Sequence, residues 1–367
     1  MTKRVSACLL LIILPLATLA AQERSRPQPT LTPQNSGTTN SLIAVSPVND
    51  RVVWASGRNG TFTVTTDGGD TWRAGTVKGA ESLELRDVQG ISDKIAYVLS
   101  VGKDAGDFRI YKTDDGGATW TMQFHNQLAG AFYDCFAFWT PERGMAVSDS
   151  VNGVFPDLRT TDGKTWESLS KQMPAALQGE GSFASSGTCV AAQGKNNTWI
   201  TTGNAPTSRV LATRDGGKTW TAYVTPFASS SGAGAFSVAF RDAQNGMIGG
   251  GDLNPKNTDR AATAVSHDGG KTWTATAAPP VTGAIFGLSY LRNTTGLDEH
   301  RGADKNYERA VVITANTGGA AWSPDEGNTW YALKDVSGYW GVAFADSKAG
   351  WLVGTKGRIL KATFGRE

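Results

Sequence analysis

An eight-residue phrase, SHDGGKTW at 266–273, constrains this chain more than any other feature, because the chain repeats it. TTDGGDTW stands at 65–72, TDDGGATW at 113–120, TRDGGKTW at 213–220 and SPDEGNTW at 323–330, with a contracted TTDGKTW at 160–166. The six copies align Asp67, Asp115, Asp162, Asp215, Asp268 and Asp325, each with Ser or Thr two residues earlier, and they recur about every fifty residues. Each copy ends on a tryptophan: Trp72, Trp120, Trp166, Trp220, Trp273 and Trp330. Repetition on this scale is the mark of stacked structural units, each needing its neighbours to bury its apolar surface.

The residue types suit a tight turn between strands. Aspartate at the head of a turn accepts hydrogen bonds from N–H groups further along. Glycine at the next positions permits φ > 0. Threonine then starts the following strand, and tryptophan packs on the sheet. These Asp and Trp residues are therefore read as structural. Each copy offers one or two carboxylates, too few for a metal site, so no metal or cofactor is expected. The pattern resembles the Asp box, or BNR repeat. That resemblance implies a β-propeller of four-stranded blades.

A second repeat lies upstream of the turns. Trp54, Tyr97, Met145, Trp199, Met247 and Trp351 each sit in a short apolar run, such as VWASG at 53–57 and GWLVG at 350–354. Ten residues before each stands Ala44, Asp87, Cys135, Cys189, Ser237 or Gly341, again inside a strand-like run. A turn-forming stretch separates each pair, so the constant offset predicts a repeated hairpin. Blades are expected over 41–77, 83–124, 131–169, 183–224, 235–276 and 284–333, the sixth carrying a polar insertion at 293–308. A seventh, from about 342 to 363, lacks the turn motif and a fourth strand. An open ring would leave an exposed sheet edge. The segment around 30–34 is expected to supply the missing outer strand, where Pro29 and Pro33 are tolerable. The chain thus reads as all-β, a seven-bladed propeller closed by its N-terminal strand. The alternative is a six-bladed ring with the last segment as an appendage.

Residues 1–21 read as a secretory signal peptide: Lys3 and Arg4, an apolar run at 9–19, and small residues at Ala20 and Ala21. The apolar run is too short to span a bilayer comfortably. Residues 22–40 form a Pro/Ser/Thr-rich arm, and 41–367 the propeller, which is expected to be a secreted or periplasmic monomer. Thirty-five basic and 33 acidic residues give a net charge of +2, which predicts no general attraction to nucleic acid. Cys135 and Cys189 occupy matching inner-strand positions in neighbouring blades. A disulfide between them and a pair of buried thiols both remain open.

Function is expected on the face opposite the Asp boxes, where the turns from strand two to three and from blade to blade collect. That face gathers Asp104, Asp107, Asp149, Asn152, Glu180, Asp252 and Asn254, with Arg86, Tyr133 and Arg241 as channel-facing candidates. Glycoside hydrolysis requires two carboxyl groups across a pocket, and Glu180, Asp252 and Asp149 are the candidates. Sialidases instead use a tyrosine nucleophile and an arginine cluster. Their F/Y-R-I-P motif has only a partial match here, Phe108-Arg109-Ile110-Tyr111, without the proline and directly before the second Asp box. No G-x-G-x-x-G or G-x-S-x-G occurs, and His125, His267 and His300 are scattered, so dinucleotide chemistry, Ser-His triads and histidine metal sites are unsupported.

The phrase GWLVGTKGRILK at 350–361 is similar to a motif of the photosystem II stability/assembly factor-like branch of Asp-box propellers. That resemblance implies a non-enzymatic scaffold, and nothing in the chain indicates a photosynthetic role. The expected function is a secreted binding propeller recognising a protein or a glycan on its loop-rich face. The alternative is a glycan-active hydrolase using carboxylates in the central funnel.

Overall fold

A computed structural model describes residues 28–254, 261–291 and 307–365. The expected leader at 1–21 lies outside the described residues, as does most of the insertion expected at 293–308. The chain forms seven four-stranded antiparallel sheets, arranged as the blades of a ring. Blade seven takes Tyr339–Asp346, Ala349–Gly354 and Arg358–Thr363 from the end of the chain and Thr30–Asn35 from its beginning. Thr30 pairs with Thr363 and Gln34 with Ile359. The last segment is thus a complete blade, which excludes the six-bladed alternative.

The ten-residue offset has a direct cause. Inner and second strands pair Ser46 with Trp54, Gln89 with Tyr97, Ala137 with Met145, Ala191 with Trp199, Ala239 with Met247 and Ala343 with Trp351. One hairpin register recurs six times. Blade six departs from it, pairing Ser289 with Val312 across the long insertion.

The Asp boxes share one closure, of which the sixth keeps all but the threonine hydroxyl bond. In the first, Thr65 Oγ1 donates to Asp67 at 2.7 Å and accepts the Gly69 N–H at 2.9 Å. Asp67 also accepts the Thr71 N–H at 3.0 Å and the Thr71 hydroxyl at 2.6 Å. The leading Ser or Thr is therefore a working part of the turn. The contracted third box loses one residue yet keeps the closure, with Thr160 on the Gly163 N–H and Asp162 on both donors of Thr165.

The box tryptophans pack against the preceding blade and not only on their own sheet. Trp120 of blade two meets Trp54 and Phe62 of blade one edge-on. The core is accordingly a set of clusters, one at each blade interface. Large second-strand side chains cross these interfaces and spend their polar tips on the next blade. Trp54 Nε1 donates to Ser92 O at 2.8 Å, Tyr97 Oη to Gly163 O at 3.1 Å, and Trp199 Nε1 to Gly269 O at 2.7 Å. Buried indole and phenol groups usually need such partners.

At the seam between blades seven and one, Gln34 on the closing strand does this work. Its Oε1 accepts from Trp351 Nε1 at 3.2 Å and from Trp72 Nε1 at 3.1 Å. Blades three and four are joined covalently by the Cys135–Cys189 disulfide, with Cα atoms 6.1 Å apart.

Two deviations position the functional face. The inner strands of blades one, two, three, five and seven each carry a one-residue bulge, at Ile43, Arg86, Asp134, Phe236 and Trp340. In blade four the inner strand, Val190–Gln193, begins seven residues after the expected start of the blade at 183. The small-residue stretch 183–188 runs instead across the axis. Arg86 donates to Ala184 O at 2.8 Å, and Phe286 O of blade six accepts from Ser185 and Thr188 at 3.2 and 3.0 Å. Ser186 also donates to that carbonyl.

The seam yields the first prediction. Gln34→Ala leaves the indole N–H groups of buried Trp351 and half-buried Trp72 without their acceptor and should lower stability by about 2 kcal/mol, read as a lower thermal midpoint. An unchanged midpoint would show that strand pairing alone closes the ring.

Candidate funnel on the loop-rich face

The bulges determine which inner-strand side chains reach the axis. A bulge inserts one residue and re-aims its side chain. Arg86 and Asp134 are equivalent bulge residues in blades two and three, and both line a funnel of about 360 Å³. Phe236 and Trp340, the bulge residues of blades five and seven, line it as well, together with Phe183 and Phe286 of blades four and six. Their rings form a continuous arc. Phe183 stacks on Phe236 with centroids 3.6 Å apart, Phe236 lies 6.2 Å from Phe286, and Phe286 lies 5.1 Å from Trp340. The Arg86 guanidinium lies 5.5 Å over the Trp340 ring and pairs with Glu84. The segment crossing the axis supplies the floor.

The structure redistributes the remaining candidates. Tyr133 does not face the channel. It is buried between blades two and three, donates to Pro156 O at 2.9 Å and packs on Phe124. The bulge puts Asp134 on the axis instead, so the sequence reading was one residue out. Arg241 also lies away from the funnel. It follows the inner strand of blade five at the turn to strand two, on the Asp-box side of the ring. There it pairs with Glu326 at 2.7 Å and Asp242 at 2.8 Å. Glu326 replaces a glycine of the sixth Asp box, adopts φ 55°, and also accepts from Tyr290 at 3.1 Å and Arg309 at 2.9 Å. It is a buried inter-blade latch. The signal for it was visible, since only that box reads Asp-Glu-Gly.

Glu180 is not placed to act on a substrate. Its carboxylate is fully buried and accepts from Arg209 Nε at 2.8 Å, Thr202 Oγ1 at 2.7 Å and the Leu177 N–H at 2.8 Å. Asp252 is buried, accepts the Asn254 N–H at 2.7 Å, and borders a separate hollow with Phe227 and Ala261. Asp104 and Asp107 cap a single 3-10 turn. Asn152 holds a turn at φ 52°. The proposed hydrolytic pair, Glu180 and Asp252, therefore does not face across one pocket.

Asp149 does line the funnel. It accepts the Ser182 N–H at 2.9 Å, and its carboxyl lies against that of Asp134. Gly181 permits this approach, since a Cβ there would lie 1.9 Å from the Asp149 carboxylate. Behind the pair, Asp157 accepts the Ser148 N–H at 2.8 Å. Burial pushes Asp149 up to about 6 and Asp157 up to about 8. Burial, with Asp149 and Asp157 beside it, raises Asp134 well above the usual carboxylate range. Two carboxyls in contact share a proton and titrate as a unit. Asp115 behaves oppositely, its carboxylate held down to about 2 by the Thr119 hydroxyl and N–H. Among the described residues, no group of three or more His, Cys, Asp or Glu is arranged to hold a metal ion.

The sheets and their turns define the class: this is an Asp-box β-propeller. The BNR/Asp-box repeat model matches residues 264–275. Solved structures of YCF48 share the fold. "YCF48 bound to D1 peptide" aligns at a TM-score of 0.62 and 16% identity, covering 93% of this chain and 96% of that one. YCF48 from Cyanidioschyzon merolae aligns at a TM-score of 0.61 and 16% identity, covering 91% and 98%. No curated protein matches the sequence.

Glu180→Ala strands Arg209 in a buried site and should cost about 3 kcal/mol of stability, measured by denaturant unfolding; a neutral effect would reopen a role for Glu180 outside the scaffold. The pH profile should fall on both sides. The folded chain holds the Asp149 and Asp157 protons to higher pH than the unfolded chain, so their stabilising contribution is full below about pH 4 and lost as pH rises through 6 and 8. The Asp-box contribution is full above about pH 4 and lost as pH falls toward 2. Asp157→Asn should flatten the alkaline limb; an unaltered limb would contradict the assignment.

Proposed function

We propose that this chain is a secreted, non-enzymatic binding propeller whose loop-rich face receives a segment of a protein. The observation that carries the reading is the aromatic arc Phe183–Phe236–Phe286–Trp340, contributed by four successive blades to one walled funnel. Largely apolar concave sites with a few polar groups are the usual form of binding sites. Three exposed apolar side chains, Leu128, Val154 and Leu253, extend outward from the same loop-rich side. The likeness to a propeller bound to a peptide supports a peptide over a sugar. The scattered carboxylate candidates weigh against the hydrolase alternative. An exported location is supported by the leader reading and by the buried disulfide, which suits an oxidising compartment.

Purified full-length chain should retain overlapping peptides on an array and turn over no chromogenic glycoside. Trp340→Ala and Phe286→Ala should each weaken peptide binding at least tenfold, as truncation of a central aromatic anchor does. Binding only to a glycan array would replace the peptide with a sugar. Turnover abolished by Asp149→Asn would restore the hydrolase.

A further inference from the structure

We infer that the ligand group entering the deep side of the funnel is an organic cation, the ammonium or guanidinium of a lysine or arginine side chain, and that the Asp134–Asp149 carboxyl pair receives it. The source of the cation rests on the peptide reading above; the chemistry of the pair does not. Asp134 is 2% exposed and lines the funnel, and its Oδ2 has no hydrogen-bond partner among the described residues. Asp149 lines the same wall and is tied to Asp134. After burial, the largest influences on this pair are Asp157 behind it and the backbone N–H groups of Ser182 and Ala184, none of them a cation. Buried carboxylates are normally paired with a cation or a metal, and these residues are not arranged to hold a metal ion.

Arg86, the cation in the same funnel, is already engaged by Glu84, Ala184 O and the Trp340 face. The charge of the funnel is therefore split, with a guanidinium already paired to Glu84 on one wall and a carboxyl pair without an ion-pair partner on the other. The aromatic rings Phe132, Phe183 and Phe236 line the same funnel as the pair. Aromatic faces attract ammonium and guanidinium groups, more strongly when desolvated. An incoming cation favours the doubly ionised pair, so the shared proton must leave as the cation enters. Binding is then an exchange of a proton for a cation, and it tightens as pH rises.

The test uses full-length protein and butylguanidinium and butylammonium as probes, with neutral butyramide as control, by calorimetry in buffers of different ionisation enthalpy. Both cations should bind at least tenfold tighter than butyramide, release protons on binding, and tighten between pH 5 and pH 8. Asp134→Asn and Asp149→Asn should each abolish that preference; either variant suffices if the other does not fold, and proton release is read on the unaltered chain. Equal affinity for cation and amide, or no proton release, overturns the inference. The peptide array separates the two proposals. Bound peptides without enrichment in lysine or arginine would overturn this one and leave the peptide reading standing. Asp-dependent cation binding with no retained peptide would do the reverse.

Discussion

Everything in this molecule depends on a blade being unable to cover itself. A four-stranded sheet whose two faces are both apolar must be flanked on both sides, and only a closed ring gives every blade two neighbours. The buried residues consequently fall into interface clusters and not one central core. The aromatic residues of the second strands and of the Asp boxes meet at these interfaces, where each donates to or packs against the adjoining blade. The turns serve the same end. An Asp box satisfies its own backbone donors within a few residues, so the sheet can reverse direction without drawing on the interface for hydrogen bonds.

Much of this was legible in the residues. The turn motif repeats with its chemistry intact, and the ten-residue offset is a direct print of one hairpin register. The closing strand was deducible by elimination, because a three-stranded last blade leaves an edge. Sequence failed where a single residue changes the phase. Alternation along an inner strand predicts Tyr133 at the axis, whereas a bulge at Asp134 reverses the pattern from that point. The same device makes Arg86 face the funnel. The crossing segment of blade four had no sequence signal. Its Ala-Ser-Ser-Gly run reads as a loop, and its partners, Arg86 and Phe286, lie about a hundred residues away in either direction.

The candidate site is where these irregularities gather. Regular strands would present the ring axis with small, alternating side chains. Four of the five bulges and one irregular segment present aromatic rings, an arginine and one carboxyl of the acidic pair. Glu326 shows the contrast on the opposite face. A substitution in the Asp-box motif there produced a satisfied ionic latch, fully partnered by Arg241, Arg309 and Tyr290. Departure from the repeat marks a special position. Whether its polar groups are all answered separates a strut from a place where something else is to bind.

The seam between the first and last strands has a temporal side. Gln34 and Trp351 are 317 residues apart, so the strand synthesised first stays without its partner until nearly the whole chain exists. Bringing such distant ends together costs about 5 kcal/mol of chain entropy, yet each blade already folded shortens the effective loop by fixing its own length. Assembly therefore has a built-in order, hairpins first and circle last. Until the last strands emerge, the nascent protein is an open arc with two unfinished ends.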